Sequence, residues 1–495
     1  MGFKSDREFL RNISVGAVGT REVVRLLNEG GFNLIDLDRG ALSNKIWATK
    51  VKRLRVPDLL CLKSGVRIES RAKGQLKLIM SHAVNNPDRS WDHGLRDTDL
   101  VACIRCSPID EVRWRPHNFV NLFKVEHLRA TQNLVKQSQM KAASEGSEYF
   151  WEWPTIVPNS SGIVTEITPT AINTKLASGR NQPYQLARKH GEQQITLTAH
   201  VLKGDIFGDG DRIIASVLPE VVSPVCNYAG QYPFLADLQS AERATAFAAV
   251  KGLGFLPALR KLSEPQLTEI GRTHQDRLVR LEAMGTLARL DSQIGWDGLK
   301  SFVEQADDDE IRMEAVLLLA ELNPARAMPL LEQLAQSNAP SELRSAALWG
   351  ASGLATTVTP NDFLPCLLET DEDISVHATV ALSRVISSAN VDQLLDCIGE
   401  DNRLSAGIVK AIELSSIRPV ESVIDRLNRA KPAVRSWLVF TLCSFGRECC
   451  EATIKQKAAN LLPQLDFYWK HHKDNWTNRV DVLDRIDFLK AQLPA

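Results

Sequence analysis

A motif of about thirty residues recurs through the C-terminal half of this chain, and a sequence that repeats at that period has few folds open to it. The copies read DRLVRLEAMGTLARL, DEIRMEAVLLLAEL, SELRSAALWGASGL, DISVHATVALSRV, RLSAGIVKAIEL and PAVRSWLVFTLCSF. With Arg280, Arg312, Arg344, His377, Ala406 and Arg435 taken as equivalent, the spacings are 32, 32, 33, 29 and 29 residues. Each copy has the apolar spacing of a helix, with alanine or another small residue where a neighbouring helix must come close. A second helical segment, such as AMPLLEQLAQ or VDQLLDCIGE, lies between copies, bounded by Asn, Pro, Gly and Asp. A helix pair of this size cannot bury its apolar face alone, so the units must stack into a solenoid.

The pattern resembles HEAT repeats of the short bacterial kind. SAERATAFAAVKGLGFLPAL reads as a degenerate first copy, which puts the helical repeat domain at 235–495. Its small and aliphatic positions are core, and no catalytic chemistry is visible in it. The repeat-equivalent arginines are expected to pair with nearby acids such as Glu282 and Glu314, the competing reading being a phosphate-contacting ladder. This half reads as a scaffold or a partner-binding surface.

Charge is distributed unevenly. The chain carries a net of −1, but residues 1–140 hold 24 Lys and Arg against 15 Asp and Glu, a net of +9, and the remainder holds −10. A basic front joined to an acidic remainder points to a polyanionic partner for the front. No apolar stretch has the length of a membrane span, the N-terminus lacks the apolar core of a signal peptide, and the nine scattered cysteines read as reduced thiols. The expectation is a cytoplasmic protein that does not engage a membrane.

Within the basic front, GAVGTREVVRLLNEGGFNLIDLDRG reads as an amphipathic helix, a Gly-Gly stop and a strand. RVPDLLCLKSGVRIESRAK follows as a strand, a KSG turn and an alternating strand. Such a hairpin brings Asp58 and Glu69 to one end of a sheet. Strand side chains alternate between faces, so Glu69, Arg71 and Lys73 point the same way. GQLKLIMSHAV reads as irregular or helical, and LVACIRC as a further strand.

On Pro57-Asp58, Glu69-Ser70-Arg71 and Glu22 of the preceding helix, residues 5–110 resemble the PD-(D/E)XK nucleases, the superfamily of restriction endonucleases and Holliday-junction resolvases. The resemblance implies a restriction-endonuclease-like α/β domain over 1–140 and a Mg²⁺ or Mn²⁺ ion held by Glu22, Asp58 and Glu69. The motif departs from the family at one place, because Arg71 stands where the pattern has lysine. An arginine keeps its proton and grips anions as a planar fork. Lys73, one pleat further along the face, is therefore expected to be the catalytic cation and Arg71 a phosphate contact, with the reverse assignment still open. Phosphodiester cleavage needs an activated water and charge stabilisation at phosphorus, which a carboxylate-held metal and a neighbouring cation provide.

Lys45, Lys50, Lys52, Arg53 and Arg55 precede the site and suggest a phosphate track, although lysines also protect sheet edges. Residues 145–230 read as a β-rich connector with strands GIVTEIT, QQITLTAHVL and DRIIASVLPEVV, and FGDGD as a hairpin turn lacking the downstream acid of a calcium loop. Trp151 and Trp153 are base-stacking candidates or, more simply, core. Cys61, Cys103 and Cys106 are read as buried thiols and not as a zinc site. His82 and His93 are candidates for assisting near a phosphate, the plainer reading being structural.

The whole reads as a multidomain α/β + β + α chain: nuclease-like domain, β-rich module, HEAT-like solenoid. The expected activity is metal-dependent endonucleolytic cleavage of DNA, and by fold-level analogy a bacterial defence effector. The alternatives are a catalytically inactive nuclease fold that binds nucleic acid, or a HEAT-repeat adaptor that binds a protein.

Overall fold

The computed structural model describes residues 7–37, 56–83, 90–109, 114–138, 141–143, 146–190, 193–305, 308–354, 359–415, 417–463, 465, 466 and 469. Up to Leu290 these residues form one compact unit, and from Asp291 onward another.

The first unit opens with helix α1 (Arg7–Glu29). It ends at the Gly-Gly pair as the sequence predicts. Gly31 takes φ +85°, and the Gly30 and Phe32 amides return to the carbonyls of Leu26 and Leu27. Five strands follow in one sheet: β1 (Leu34–Asp36), β2 (Leu59–Cys61), β3 (Arg67–Lys73), β5 (Leu100–Pro108) and β6 (Trp114–Lys124), side by side in that order. β1, β2 and β3 run antiparallel, β3 and β5 run parallel from Ile68↔Leu100 to Lys73↔Arg105, and β6 returns antiparallel.

A parallel pair needs a crossover. Here Gly74–Leu78 is irregular, and β4 (Ile79–His82), where the sequence suggested irregular or helical chain, is a strand. β4 leaves the main sheet and pairs with Gly146–Glu152, so its hydrogen bonds are satisfied by a segment that lies far along the chain. Nothing local in GQLKLIMSHAV reveals that partner.

Both faces of the sheet are covered, which accounts for the unbroken apolar run Leu100–Ile104. On one face Ile68, Ala102, Ile104 and Cys106 pack beneath Val15, Val23 and Leu27 of α1. Gly19 is required there, because a Cβ would lie 2.2 Å from that of Ala72. On the other face Val101, Cys103 and Phe123 pack with Met80, Trp91, Trp153 and Ile213.

The strand-rich region continues through several small antiparallel sheets, one of them four-stranded in the order Asn181–Gln185, Ala171–Leu176, Gly162–Ile167, Ile206–Phe207. Their shared core includes Ile156, Val164, Ile172, Ile195, Leu197, Val201 and Phe207. Ile195, Leu197 and Val201, which alternate along QQITLTAHVL, are all buried. Trp153 is fully buried and donates its Nε1–H to Thr131 Oγ1 at 3.1 Å, so it is core and not a base-stacking platform. Trp151 stacks on His82 with ring centroids 4.0 Å apart.

Helices then take over. Phe234–Asp237, α2 (Arg243–Leu253), Arg260–Thr273 and Arg277–Arg289 belong to the first compact unit; the repeat pattern starts the helical repeats at 235. Beyond Asp291 the helices alternate in pairs down to Arg447–Lys457. Aspartate caps start many of them: Asp276, Asp308, Asp371 and Asp401 each accept backbone N–H bonds from the first turn.

The repeat-equivalent arginines do something that neither sequence reading anticipated. Arg312 bonds the carbonyl of Val303 at 3.0 Å, Arg344 that of Ala335 at 2.8 Å and Arg435 that of Leu427 at 3.0 Å. Each carbonyl lies at or near the end of the preceding helix, where backbone acceptors lack partners and the helix dipole favours a cation. The pairing with acids falls on Asp309 for Arg312 and Glu369 for Arg344. Arg344→Ala should therefore lower stability by about 1–3 kcal/mol, read as a shifted urea midpoint; an unchanged midpoint would show that water replaces the cap at no cost.

Candidate functional site

β3 alternates cleanly. Ile68, Ser70 and Ala72 face α1, and Thr20 of that helix donates its hydroxyl to Ser70 Oγ at 2.9 Å. Glu69, Arg71 and Lys73 face the other way. The β2–β3 ladder ends at Leu59↔Ile68, so Asp58 stands opposite Glu69 at the mouth of the hairpin. Its Oδ2 accepts the Ser70 amide at 2.7 Å, which fixes the carboxylate beside β3. Arg71 Nη2 lies 2.8 Å from Glu69 Oε1. Asp58, Glu69 and Arg71 are thus brought together, and Lys73 lies one pleat beyond Arg71 on the same face.

The electrostatics of the two cations differ. Burial disfavours the charge on Arg71, but Glu69 and then Asp58 outweigh it and its pKa rises. Lys73 is shifted down from 10.5 by burial and by the Arg71 charge, and no carboxylate opposes this. In the folded protein the charged Lys73 is therefore disfavoured. Stability should rise with pH between the lowered folded value and the ordinary 10.5, and be reduced throughout the range below that window. Lys73→Met should accordingly melt higher than wild type at neutral pH and lose that part of the pH slope. A lower melting temperature would mean that the ammonium holds a stabilising ion pair.

Glu22 is not brought to this face. It stays on the α1 side, paired with Arg25 at 2.6 Å, and Arg25 reaches Asn118 of β6 at 2.7 Å. Among the described residues no group of three or more His, Cys, Asp or Glu side chains is placed to hold a metal ion, so the expected set of Glu22, Asp58 and Glu69 is not assembled. Asp58 and Glu69 alone supply two hard oxygen donors. That suits Mg²⁺ or Mn²⁺, which keep several waters and take phosphate oxygens as further ligands.

Lys45, Lys50, Lys52, Arg53 and Arg55 lie outside the described residues. Cys103 and Cys106 point to opposite faces. Cys103 packs beneath the Met80 and Trp91 cluster, and Cys106 Sγ lies 4.0 Å from the Val15 carbonyl of α1. They cannot share a metal ion, and burial pushes both thiols up to about 12. His82, besides stacking on Trp151, bonds Ser90 Oγ through Nδ1 at 3.3 Å, and burial lowers its pKa. His93 sits in the turn Trp91–Gly94.

Two groups near the site escape sequence reasoning. Arg105 of β5 pairs with Lys73 in register and so joins its face, and Arg67, two residues before Glu69, is buried against Asp99. In both cases the decisive neighbour is about 30 residues away along the chain, 32 for both Lys73–Arg105 and Arg67–Asp99.

The family of HEAT repeats matches residues 264–352. The helical region is HEAT-like. No curated protein matches the chain. Among solved structures, the complex of CpcE and CpcF of phycocyanin lyase from Nostoc sp. PCC7120 is similar at 18% identity, covering 49% of this chain and 97% of that one, with a TM-score of 0.25. Yeast importin-beta (Kap95p) is similar at 14% identity, covering 53% of this chain and 42% of that one, also with a TM-score of 0.25. No helix among the described residues is long and apolar enough to cross a membrane.

Proposed function

We propose that the first unit is a PD-(D/E)XK-like nuclease that cleaves DNA phosphodiester bonds with Mg²⁺ or Mn²⁺, and that the HEAT-like helices bind a protein that directs or restrains it. One observation carries this reading. Asp58 and Glu69 stand across a hairpin from each other on the face that also bears Arg71 and Lys73. It is supported by the element order, a helix, a strand, an antiparallel hairpin and a strand parallel to the second hairpin arm. The basic charge of residues 1–140 supports a polyanionic substrate.

In this reading Asp58 and Glu69 hold the ion. When bound, it would lower the pKa of a coordinated water and neutralise charge on the phosphate. Ser70, through its amide, keeps the Asp58 carboxylate aimed along the sheet. Arg71 grips a phosphate oxygen in its planar fork, which requires that it share Glu69 with the ion. Lys73, its proton loosened by burial, donates a hydrogen bond or a proton at Nζ to the oxygen that gains charge. A place in defence against foreign DNA is an analogy from the pairing of nuclease and repeats.

A second reading has its own support. Arg71 stands where the family has lysine and already neutralises Glu69, as it would in a nuclease fold that binds nucleic acid without cutting it; the matched HEAT repeats favour a protein-binding adaptor. Purified protein incubated with plasmid, single-stranded DNA and RNA, in Mg²⁺ and in EDTA, separates the readings. Metal-dependent products support the nuclease. Salt-sensitive binding without products supports the binding fold, and no interaction with any nucleic acid leaves the adaptor.

A further inference from the structure

We infer that Arg105 is a third phosphate-contacting cation of this site and that Asp209, from the strand-rich region, holds it in check as a competing anion; the inference rests on the nucleic-acid reading above.

β3 and β5 are parallel with Glu69↔Val101, Arg71↔Cys103 and Lys73↔Arg105 as partners, and partners in neighbouring strands share a face. The alternation of β5 agrees, since Ala102, Ile104 and Cys106 pack on the α1 side and Val101 and Cys103 on the other. Arg105 therefore extends the row of Arg71 and Lys73. Same-face positions repeat at about 6.6 Å along a strand and neighbouring strands lie about 4.8 Å apart, so the three cations can meet adjoining phosphates of one backbone.

The Arg105 guanidinium is already answered by an acidic turn. Its Nη1 donates to the Asp209 carbonyl and lies 3.5 Å from Asp209 Oδ2. The turn is fastened on every side. Gly208 N–H bonds Asp211 Oδ1 at 2.9 Å, Gly210 N–H bonds the Pro158 carbonyl at 2.8 Å, and Asn121 Nδ2 bonds the Asp211 carbonyl at 3.1 Å. Gly210 has φ +62°, a conformation that favours glycine, and a Cβ there would lie 2.4 Å from Arg105 Nη1 and push the guanidinium aside. The Asp209 carboxylate itself is 59% exposed, while Arg105 Nε is buried with no partner among the described residues. An exposed carboxylate thus answers the Arg105 guanidinium, and a phosphate oxygen would compete with it for Nη1. The FGDGD turn thus has an electrostatic task that calcium binding does not explain.

The test is binding of a short labelled DNA duplex in EDTA across a salt series, using the full chain. Arg105→Ala should weaken binding and reduce the slope of log affinity against log salt by about 0.9. Asp209→Asn should tighten binding by about two- to fivefold, the range of an exposed ion pair, with Asp209→Lys tightening it further. In the Arg105→Ala background the gain from Asp209→Asn should vanish. Equal gains in both backgrounds would reduce Asp209 to general charge and overturn the inference. Binding that responds to Arg71→Ala but to neither Arg105 nor Asp209 variants would overturn it while leaving the proposed site standing. Failure of every form to bind removes both.

Discussion

If the proposed nuclease reading holds, Glu69→Gln should abolish metal-dependent cleavage, with a loss of about a hundredfold or more in rate, and leave the fold intact. Glutamine keeps the shape of the side chain but not the charge that a divalent ion needs, and removing one charge-stabilising group from such a centre costs about 10²–10³ in rate. Glu69 is the cleaner test of the two carboxylates. Asp58 also accepts the Ser70 amide, so Asp58→Ala adds a structural cost of about 1–3 kcal/mol from the unsatisfied N–H. Loss of activity in Asp58→Ala without loss in Glu69→Gln would therefore report unfolding of the hairpin and not chemistry. The measurement is the cleavage rate in Mg²⁺ and in Mn²⁺ beside a melting curve for each variant. Wild-type rates in Glu69→Gln would end the nuclease reading outright.

The candidate site was legible wherever its geometry is local. The alternation of RIESRAK fixes which side chains share a face, the KSG turn sets the hairpin, and the Gly-Gly pair ends α1; each follows from dihedral preferences within a few residues. The repeats were legible because equivalent positions recur at a fixed period. What escaped reading is set by pairing between distant segments. Arg105 joins the site only through the parallel register of β3 and β5, and β4 is a strand only because Gly146–Glu152 lies beside it. Glu22 fell on the expected helix, but the helix lies against the opposite face of the sheet, a fact that element order does not encode. The arginine caps of the repeats show a further limit. Their period was visible, but the acceptors are backbone carbonyls, which have no sequence signature.

Within the first unit a buried charge cluster joins the sheet to helix α2, and the strongest stability effect should come from breaking it. Arg67 and Asp99 are 1% and 0% exposed, with Arg67 Nε 2.8 Å from Asp99 Oδ2. Asp99 also accepts the backbone amides of Arg67 at 2.9 Å and Arg96 at 2.7 Å, so one carboxylate ties the start of β3 to the turn before β5. Arg67 Nη1 continues to Thr245 Oγ1 of α2 at 3.1 Å, and Lys251, buried on the same helix, reaches toward the Leu37 carbonyl at 3.5 Å. The sheet that carries the site is thereby fastened to the first helices of the C-terminal region. Asp99→Leu leaves two amides without their acceptor and the buried Arg67 guanidinium with only Thr245 and, at 3.7 Å, the half-exposed Glu242, and removing one partner of a buried pair costs about 3–5 kcal/mol. Arg67→Met costs less, because Asp99 keeps Arg96 and both amides. Urea melts should rank Asp99→Leu below Arg67→Met and both below wild type, and an Arg67→Met/Asp99→Leu double variant should not add the two losses. The same cluster sets where the chain can be cut. A fragment ending at Leu235 loses Thr245 and Lys251 and should melt lower and less cooperatively than one ending at Leu290. Equal stability of the two fragments, or additive losses in the double variant, would mean that the sheet does not depend on those helices.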